Sequence, residues 1–271
     1  LEILEDLAAL HEGRPTEAEP AATLRRIADV RMARGETAEA IAVLEQVAGL
    51  APDDSDTLAR LVAVYTAEGE AAAAHLWRGE LARVWRDRED REAEALVLAE
   101  GLAEFPEDND FLAQTVESLF ARQRPEEACV VARRLAGLHL AAKNREAALG
   151  VLRPASDRTP DDREVAAVLF NVCATAPAAE DTRDRARRLG DLQVRAGQPS
   201  DAALIYATVT EIYPDDTGWK YEELDLLCRV GLLSEALECS LTLAAAKRGG
   251  GDTGEAERLL FAALEIGRAH V

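Results

Sequence analysis

Between Asp54 and Pro106 the apolar residues fall into three stripes of helical period. Leu58, Leu61, Val62 and Tyr65 recur at i, i+3, i+4 and i+7, one face of an amphipathic helix. Asp54, Ser55 and Asp56 offer N-cap oxygens ahead of it, and Gly69 is placed to end it. Leu76, Trp77, Leu81, Val84 and Trp85 mark a second helix, which closes at the polar turn Arg88 to Asp90. Ala93, Leu96, Val97 and Leu102 mark a third. It stops at Phe105-Pro106, because a residue before proline is pushed out of the α region.

This three-helix pattern repeats. Pro52, Pro106, Pro160 and Pro214 stand 54 residues apart, each followed by an acidic pair: Asp53-Asp54, Glu107-Asp108, Asp161-Asp162 and Asp215-Asp216. Ile27, Leu81, Leu135, Leu189 and Leu243 share one column. The next residue is always tiny: Ala28, Ala82, Ala136, Gly190 and Ala244. Ala40, Ala148, Ala202 and Ala256 share another column, broken by Glu94. Leu44, Leu98, Leu152, Tyr206 and Leu260 share a third, and Gly35, Glu89, Lys143, Gly197 and Gly251 form a turn column. A fixed period of this kind marks a solenoid, whose units bury their apolar faces against neighbours. The units are residues 1–52, 53–106, 107–160, 161–214 and 215–268, and the chain 1–271 is expected to form one such array. Helix breaks are expected near residues 14, 35, 52, 69, 89, 106, 123, 143, 160, 177, 197, 214, 231 and 251. Two segments depart from the pattern and read as loops or joints: residues 12–20, with two prolines, and residues 247–254, with four glycines.

Composition adds to this picture at a few points. Aromatics are 4% of the chain, and alanine and leucine dominate, which favours helix over sheet. The net charge is −20 and the sequence pI near 4.6, a poor balance for a nucleic-acid partner. The acidity is spread along the chain as a solvated surface. No apolar run approaches the length of a membrane span. Cys129, Cys173, Cys228 and Cys239 form no C-x-x-C pair and are expected to be buried, reduced thiols, which favours a cytoplasmic setting. An arginine-rich, lysine-poor chain suggests a GC-rich bacterial genome. The chain opens Leu1-Glu2-Ile3-Leu4 without an initiator methionine and is expected to be a piece of a longer repeat protein.

The second and third helices of each unit resemble the tetratricopeptide repeat, a 34-residue helix-turn-helix motif. In the first unit the matching places hold Ile27-Ala28, Gly35, Ala40, Leu44, Val47 and Pro52. In the fourth they hold Leu189-Gly190, Gly197, Ala202, Tyr206, Val209 and Pro214. The family's aromatic is mostly missing, with Trp85 the nearest match and Arg31, His139, Gln193 and Lys247 elsewhere. The longer period is explained if two overlapping repeats share one helix, as Leu61-Val62, Tyr65, Gly69 and Ala74 suggest. The resemblance implies an all-α fold, a right-handed α-solenoid of about five three-helix units.

Catalytic chemistry is not legible. No H-E-x-x-H, Walker loop, G-x-G-x-x-G or G-x-S-x-G occurs, and neither a metal site nor a cofactor is expected. The recurring acidic pairs sit at helix starts, where capping and the helix dipole favour carboxylates over a calcium role. In the resembled family, ligands lie along the concave face made by the first helix of each pair. Carried onto the second helix of each unit here, that face selects Arg25, Arg83, Arg86, Arg133, Arg187, Arg195 and Arg248, with Asp29, Asp87, Asp184, Asp191 and Glu238. The plainer reading is arginine paired with neighbouring acids. Arg133 and Arg187 are the first choices for an acidic partner, because they share a column in adjacent units.

The resemblance therefore implies a non-catalytic scaffold that holds a peptide or partner segment in its groove. A recruiting arm of a larger enzyme and a self-assembling repeat protein are the alternatives. Leu1, Leu4 and Leu7 at one end and Leu259, Leu260, Phe261, Ala263 and Leu264 at the other continue the apolar columns. Both end faces are thus expected to be covered, by further repeats or by another copy of the chain.

Overall fold

The computed structural model describes residues 18–175, 179–214 and 216–270. Over these residues the chain is helical throughout, with no strand. The helices are α1 (Ala18–Ala33), α2 (Thr37–Leu50), α3 (Ser55–Ala67), α4 (Ala71–Asp87), α5 (Arg91–Glu104), α6 (Asn109–Ala121) and α7 (Pro125–Ala141). They continue with α8 (Arg145–Arg158), α9 (Arg163–Ala174), α10 (Ala179–Arg195), α11 (Pro199–Ile212), α12 (Thr217–Val230), α13 (Leu233–Gly249) and α14 (Thr253–His270). The other expected breaks from residue 35 onward fall between these helices. The breaks near residues 14 and 177 and the first helix marked by Leu1, Leu4 and Leu7 lie outside the described residues. Two compact bodies divide the chain inside α7, one ending at Val131 and the other beginning at Ala132.

Two devices set the breaks. One is a left-handed residue after the helix. Gly35, Glu89, Lys143, Gly197 and Gly251 all have φ between 59° and 85°. Gly69, Gln123 and Gly231 form a second such column, with φ of 77°, 58° and 78°. Glycine suits that conformation, and the Glu, Gln and Lys adopt it against the cost of a Cβ. The other device is the aspartate after each proline. Asp108, Asp162 and Asp216 accept the backbone N–H of Phe111, Val165 and Trp219 at 2.8, 2.9 and 3.2 Å, as N-caps do. Asp54 departs from this: its carboxylate is taken by Thr57 and Arg25 instead.

The core follows the columns. Ile27, Leu81, Leu135, Leu189 and Leu243 are all buried, as are Ala28, Ala82, Ala136, Gly190 and Ala244 beside them. In the fourth unit the tiny residue must be glycine. A Cβ there would stand 2.6 Å from Cε2 of Tyr206, which replaces the leucine of the other units. Gly101 yields to the Phe111 ring in the same way, at 2.5 Å. Tyr206 stacks on Trp219, centroids 4.9 Å apart, and the Trp219 indole N–H donates to the Tyr206 carbonyl at 3.1 Å.

Several expectations need correction. Leu76 on α4 and Leu96 on α5 face solvent. Leu260 is also exposed, although Leu44, Leu98, Leu152 and Tyr206 in its column are buried. Phe261 and Leu264 are exposed beside it. Cys228 lies on the surface rather than in the core; Cys129 and Cys173 are buried, Cys239 half-buried, and all four are free thiols. Residues 18–20, read as loop, open α1, where Pro20 sits in a first turn that needs no amide hydrogen bond. The glycine-rich segment is a short turn, since α13 runs to Gly249 and α14 starts at Thr253. No described helix is long and apolar enough to cross a membrane.

Side-chain bonds join several pairs of helices two apart. In the first body Arg25–Asp54 and Arg60–Asp29 join α1 and α3, while Arg86–Gln114 and the His75–Phe111 ring contact join α4 and α6. In the second, Arg133–Glu164 joins α7 and α9, Arg187–Glu222 joins α10 and α12, and Tyr221–Glu255 joins α12 and α14. Within each body, helices two apart therefore share a layer. Three helices make a unit, so equivalent helices of neighbouring units within a body fall in opposite layers.

Candidate functional site

The sequence-selected arginines sit on α1 (Arg25), α4 (Arg83 and Arg86), α7 (Arg133), α10 (Arg187 and Arg195) and α13 (Arg248). Arg133 and Arg187 share a column but lie in different layers, beside α9 and α12 respectively. Most are bound to acids of their own chain. Arg25 bonds Asp54 at 2.9 Å. Arg83 reaches Glu80 and Asp87, both at 3.0 Å, and Asp53 at 3.5 Å. Arg133 bonds Glu164, and Arg195 lies 3.8 Å from Asp161.

Arg187 is the most engaged. Its guanidinium forks onto Glu222 at 2.6 and 2.7 Å, bonds Asp184 at 3.1 Å and lies over the Trp219 ring. The Glu222 bond in particular holds Arg187 firmly protonated, above the ordinary arginine range. It borders a cavity of about 440 Å³ shared with Asp191, Tyr206, Tyr221, Glu222, Asp225 and Arg229. Arg248 is exposed and bonds no acid among the described residues. Of the selected acids, Asp29 bonds Arg60, Asp87 bonds Arg83 and Asp184 bonds Arg187.

Arg86 serves the interior. Glu94, which breaks the alanine column, has 0% exposure. Its carboxylate accepts from Arg86 Nε at 2.7 Å and from Ser118 Oγ at 3.2 Å, with Arg91 at 3.8 Å. Arg86 also donates to Gln114 at 2.8 Å. A buried charge is tolerable only when paired and hydrogen-bonded, and this cluster meets that condition. A second buried charge, the Arg78 guanidinium, forks onto Glu104 with two bonds of 2.8 Å, which draws the Glu104 carboxyl below the usual range.

Sequence reasoning missed two grooves. The first, about 390 Å³, runs between α5 and α7 over α6, lined by Ala95, Leu98, Thr115, Leu119, Val130 and Val131 among others. Ser118 and Arg122 also border it, so the Glu94 cluster lies under its floor. The second, about 480 Å³, has the same construction two units on, between α11 and α13 over α12. Ala203, Leu204, Thr210, Glu223, Leu227 and Glu238 line it, with Lys220, Leu232, Glu235, Cys239 and Thr242. Val130 and Leu204 stand in these walls with 57% and 68% exposure. Burial pushes the Glu223 carboxyl up, although Thr210 Oγ1 donates to it at 2.8 Å. Burial likewise pushes the Cys239 thiol up to about 12, so it stays protonated and inert at neutral pH. Val130 and Leu204 lie outside the core columns but share that with other exposed apolar residues such as Leu140 and Leu241, so the sequence held no signal specific to the grooves.

Comparison with curated proteins gives no match. Among solved structures, the apo form of RapI is 12% identical, covering 92% of this chain and 97% of its own, with a TM-score of 0.34. A Rap protein complexed with competence and sporulation factor is 11% identical, covering 98% and 80%, with a TM-score of 0.33. The TPR domain of P58(IPK) is 14% identical, covering 97% and 98%, with a TM-score of 0.21. The tetratricopeptide repeat family matches residues 22–54, which are α1, α2 and the Pro52 turn. That match covers one helix pair, and the same columns recur along the all-helical chain, so the fold is of the tetratricopeptide-repeat kind.

Proposed function

We propose that this protein is a non-catalytic scaffold that holds a segment of a partner protein in the grooves α5–α7 and α11–α13. One observation carries the reading: two grooves of identical construction, each with an aliphatic side chain standing in solvent at its wall. Apolar surface left open in a concave site is the usual mark of a place where another chain docks. The grooves lie between helices already fixed by the core, so little ordering is lost on binding.

The test is photocrosslinking from inside the grooves. A benzophenone amino acid replaces Val130 or Leu204, and exposed control positions that line neither groove, Met32 on α1 and Leu76 on α4, are treated alike. The groove positions are expected to capture a discrete partner that the controls do not. Val130→Asp and Leu204→Asp are expected to abolish its copurification with the thermal unfolding midpoint unchanged. Equal recovery of that partner from the aspartate variants would refute the reading.

The arginine column supports a second reading, an acidic segment held along α13. It rests on Arg248, which is exposed and bonds no acid among the described residues. Guanidinium groups suit carboxylates in bidentate geometry. Arg248→Glu would then weaken partner binding and flatten its salt dependence; an unchanged salt slope would reject this reading.

A further inference from the structure

The two grooves share a construction but not a chemistry. Thr115, Glu127, Val130 and Val131 line the first. Two 54-residue periods later, the same places hold Glu223, Glu235, Glu238 and Cys239. Two lining positions have thus exchanged a neutral side chain for a carboxylate. Arg122, the cation bordering the first groove, is replaced by Val230. The apolar base persists, with Leu119 becoming Leu227 and Ala95 and Ala99 becoming Ala203 and Ala207.

The acids of the second groove are differently placed. Glu223 is half-buried and occupied by the Thr210 hydroxyl. Glu235 and Glu238 are exposed and form no ion pair among the described residues. This contrasts with the arginines nearby: Arg187 is held by Glu222 and Arg229 by Asp225. Lys220 is the one cation lining the groove, against three carboxylates. The groove therefore offers an apolar base and an unneutralised acidic wall.

We infer that the α11–α13 groove selects a basic, aliphatic segment of another protein. An aliphatic side chain seats beside Leu204 and Leu227, and a lysine or arginine lies against Glu235 and Glu238. This rests on the groove-binding reading above and adds the chemistry of the ligand. The α5–α7 groove, with Val130 and Val131 in place of Glu238 and Cys239, takes an apolar residue without that cation. Opposite charges across such a rim set which partner is accepted more than how tightly it is held.

The test uses the full 271-residue chain as bait for a displayed library of random 15-residue peptides. Peptides that compete with Leu204→Asp-sensitive binding are sequenced, and one is synthesised in matched lysine and glutamate versions. The lysine version is expected to bind about tenfold more tightly at low salt, a difference that shrinks as salt rises. In the Glu235→Lys/Glu238→Lys variant the preference is expected to reverse, which a merely misfolded variant would not do. If peptides bind in the Leu204 groove but lysine and glutamate versions bind alike, the inferred chemistry is overturned while groove binding stands. If no peptide is enriched over a bait-free selection, groove binding itself fails and this inference with it.

Discussion

Gly190→Ala is the sharpest test of the packing described above, because its sign should depend on a second residue. The added Cβ would lie 2.6 Å from Tyr206 Cε2, against an optimum of about 3.5–4.0 Å for two carbons. The ring would have to retreat by about 1 Å. It has little room: it is 4% exposed and stacked on Trp219, which the Tyr206 carbonyl holds in place. Overpacking of this sort costs about 1–3 kcal/mol. Alanine returns roughly 1 kcal/mol through its better helix propensity. The net result is a loss of roughly 0–2 kcal/mol. In a Tyr206→Leu background, which restores the residue of the other units, the obstruction is gone and the same change should gain about 1 kcal/mol. The coupling in the double-mutant cycle should therefore be about 1–3 kcal/mol. Urea unfolding is followed by Trp219 fluorescence with Trp77 and Trp85 replaced by phenylalanine. A local probe is needed because repeat arrays need not unfold in one step. If Gly190→Ala stabilises both backgrounds equally, the Cβ never meets the ring and the packing argument is wrong.

Glu89→Gly, Gln123→Gly and Lys143→Gly should each stabilise by about 0.5–1 kcal/mol, since glycine relieves a positive φ at these turns; Gly197→Ala should do the reverse, and denaturant midpoints decide both. Arg86→Ala should cost about 3 kcal/mol by leaving the fully buried Glu94 without its closest cation, whereas Arg83→Ala, whose partners are surface acids, should cost under about 1 kcal/mol; equal costs would refute the distinction. Glu223 has its pKa raised by burial, so its protonated form suits the fold and the benefit is lost as pH rises through that raised value. Glu223→Gln, which keeps an acceptor for Thr210, should therefore stabilise at pH 7 and lose that advantage toward pH 4; an advantage independent of pH would contradict the assignment.

The architecture was legible because its punctuation is local. A proline with a following aspartate, and a turn residue forced to positive φ, act within a few positions, so they read directly from the chain. Burial of Leu81, Leu135, Leu189 and Leu243 followed from the period alone. What the sequence concealed depends on which layer a helix occupies. Leu96 fits the apolar stripe of α5 on paper but lies outside the arc that the neighbouring helices cover. Glu94 was visible as a broken column, yet nothing near it in sequence says that Ser118 would complete its shell. The grooves were hidden for the same reason: Leu204, Leu227 and Glu238 meet only when α11, α12 and α13 are stacked.

An odd number of helices per unit, laid into two layers, gives the chain a parity. Within a body, each 54-residue step carries a given column to the opposite layer, as Arg133 beside α9 and Arg187 beside α12 illustrate. Deleting or duplicating a single unit would keep every helix, cap and turn intact but invert the sidedness of everything beyond the junction. Deleting or duplicating a pair would preserve it. Growth of such a chain without loss of a binding face should therefore proceed by even numbers of units, and a protein engineer who lengthens it should do the same.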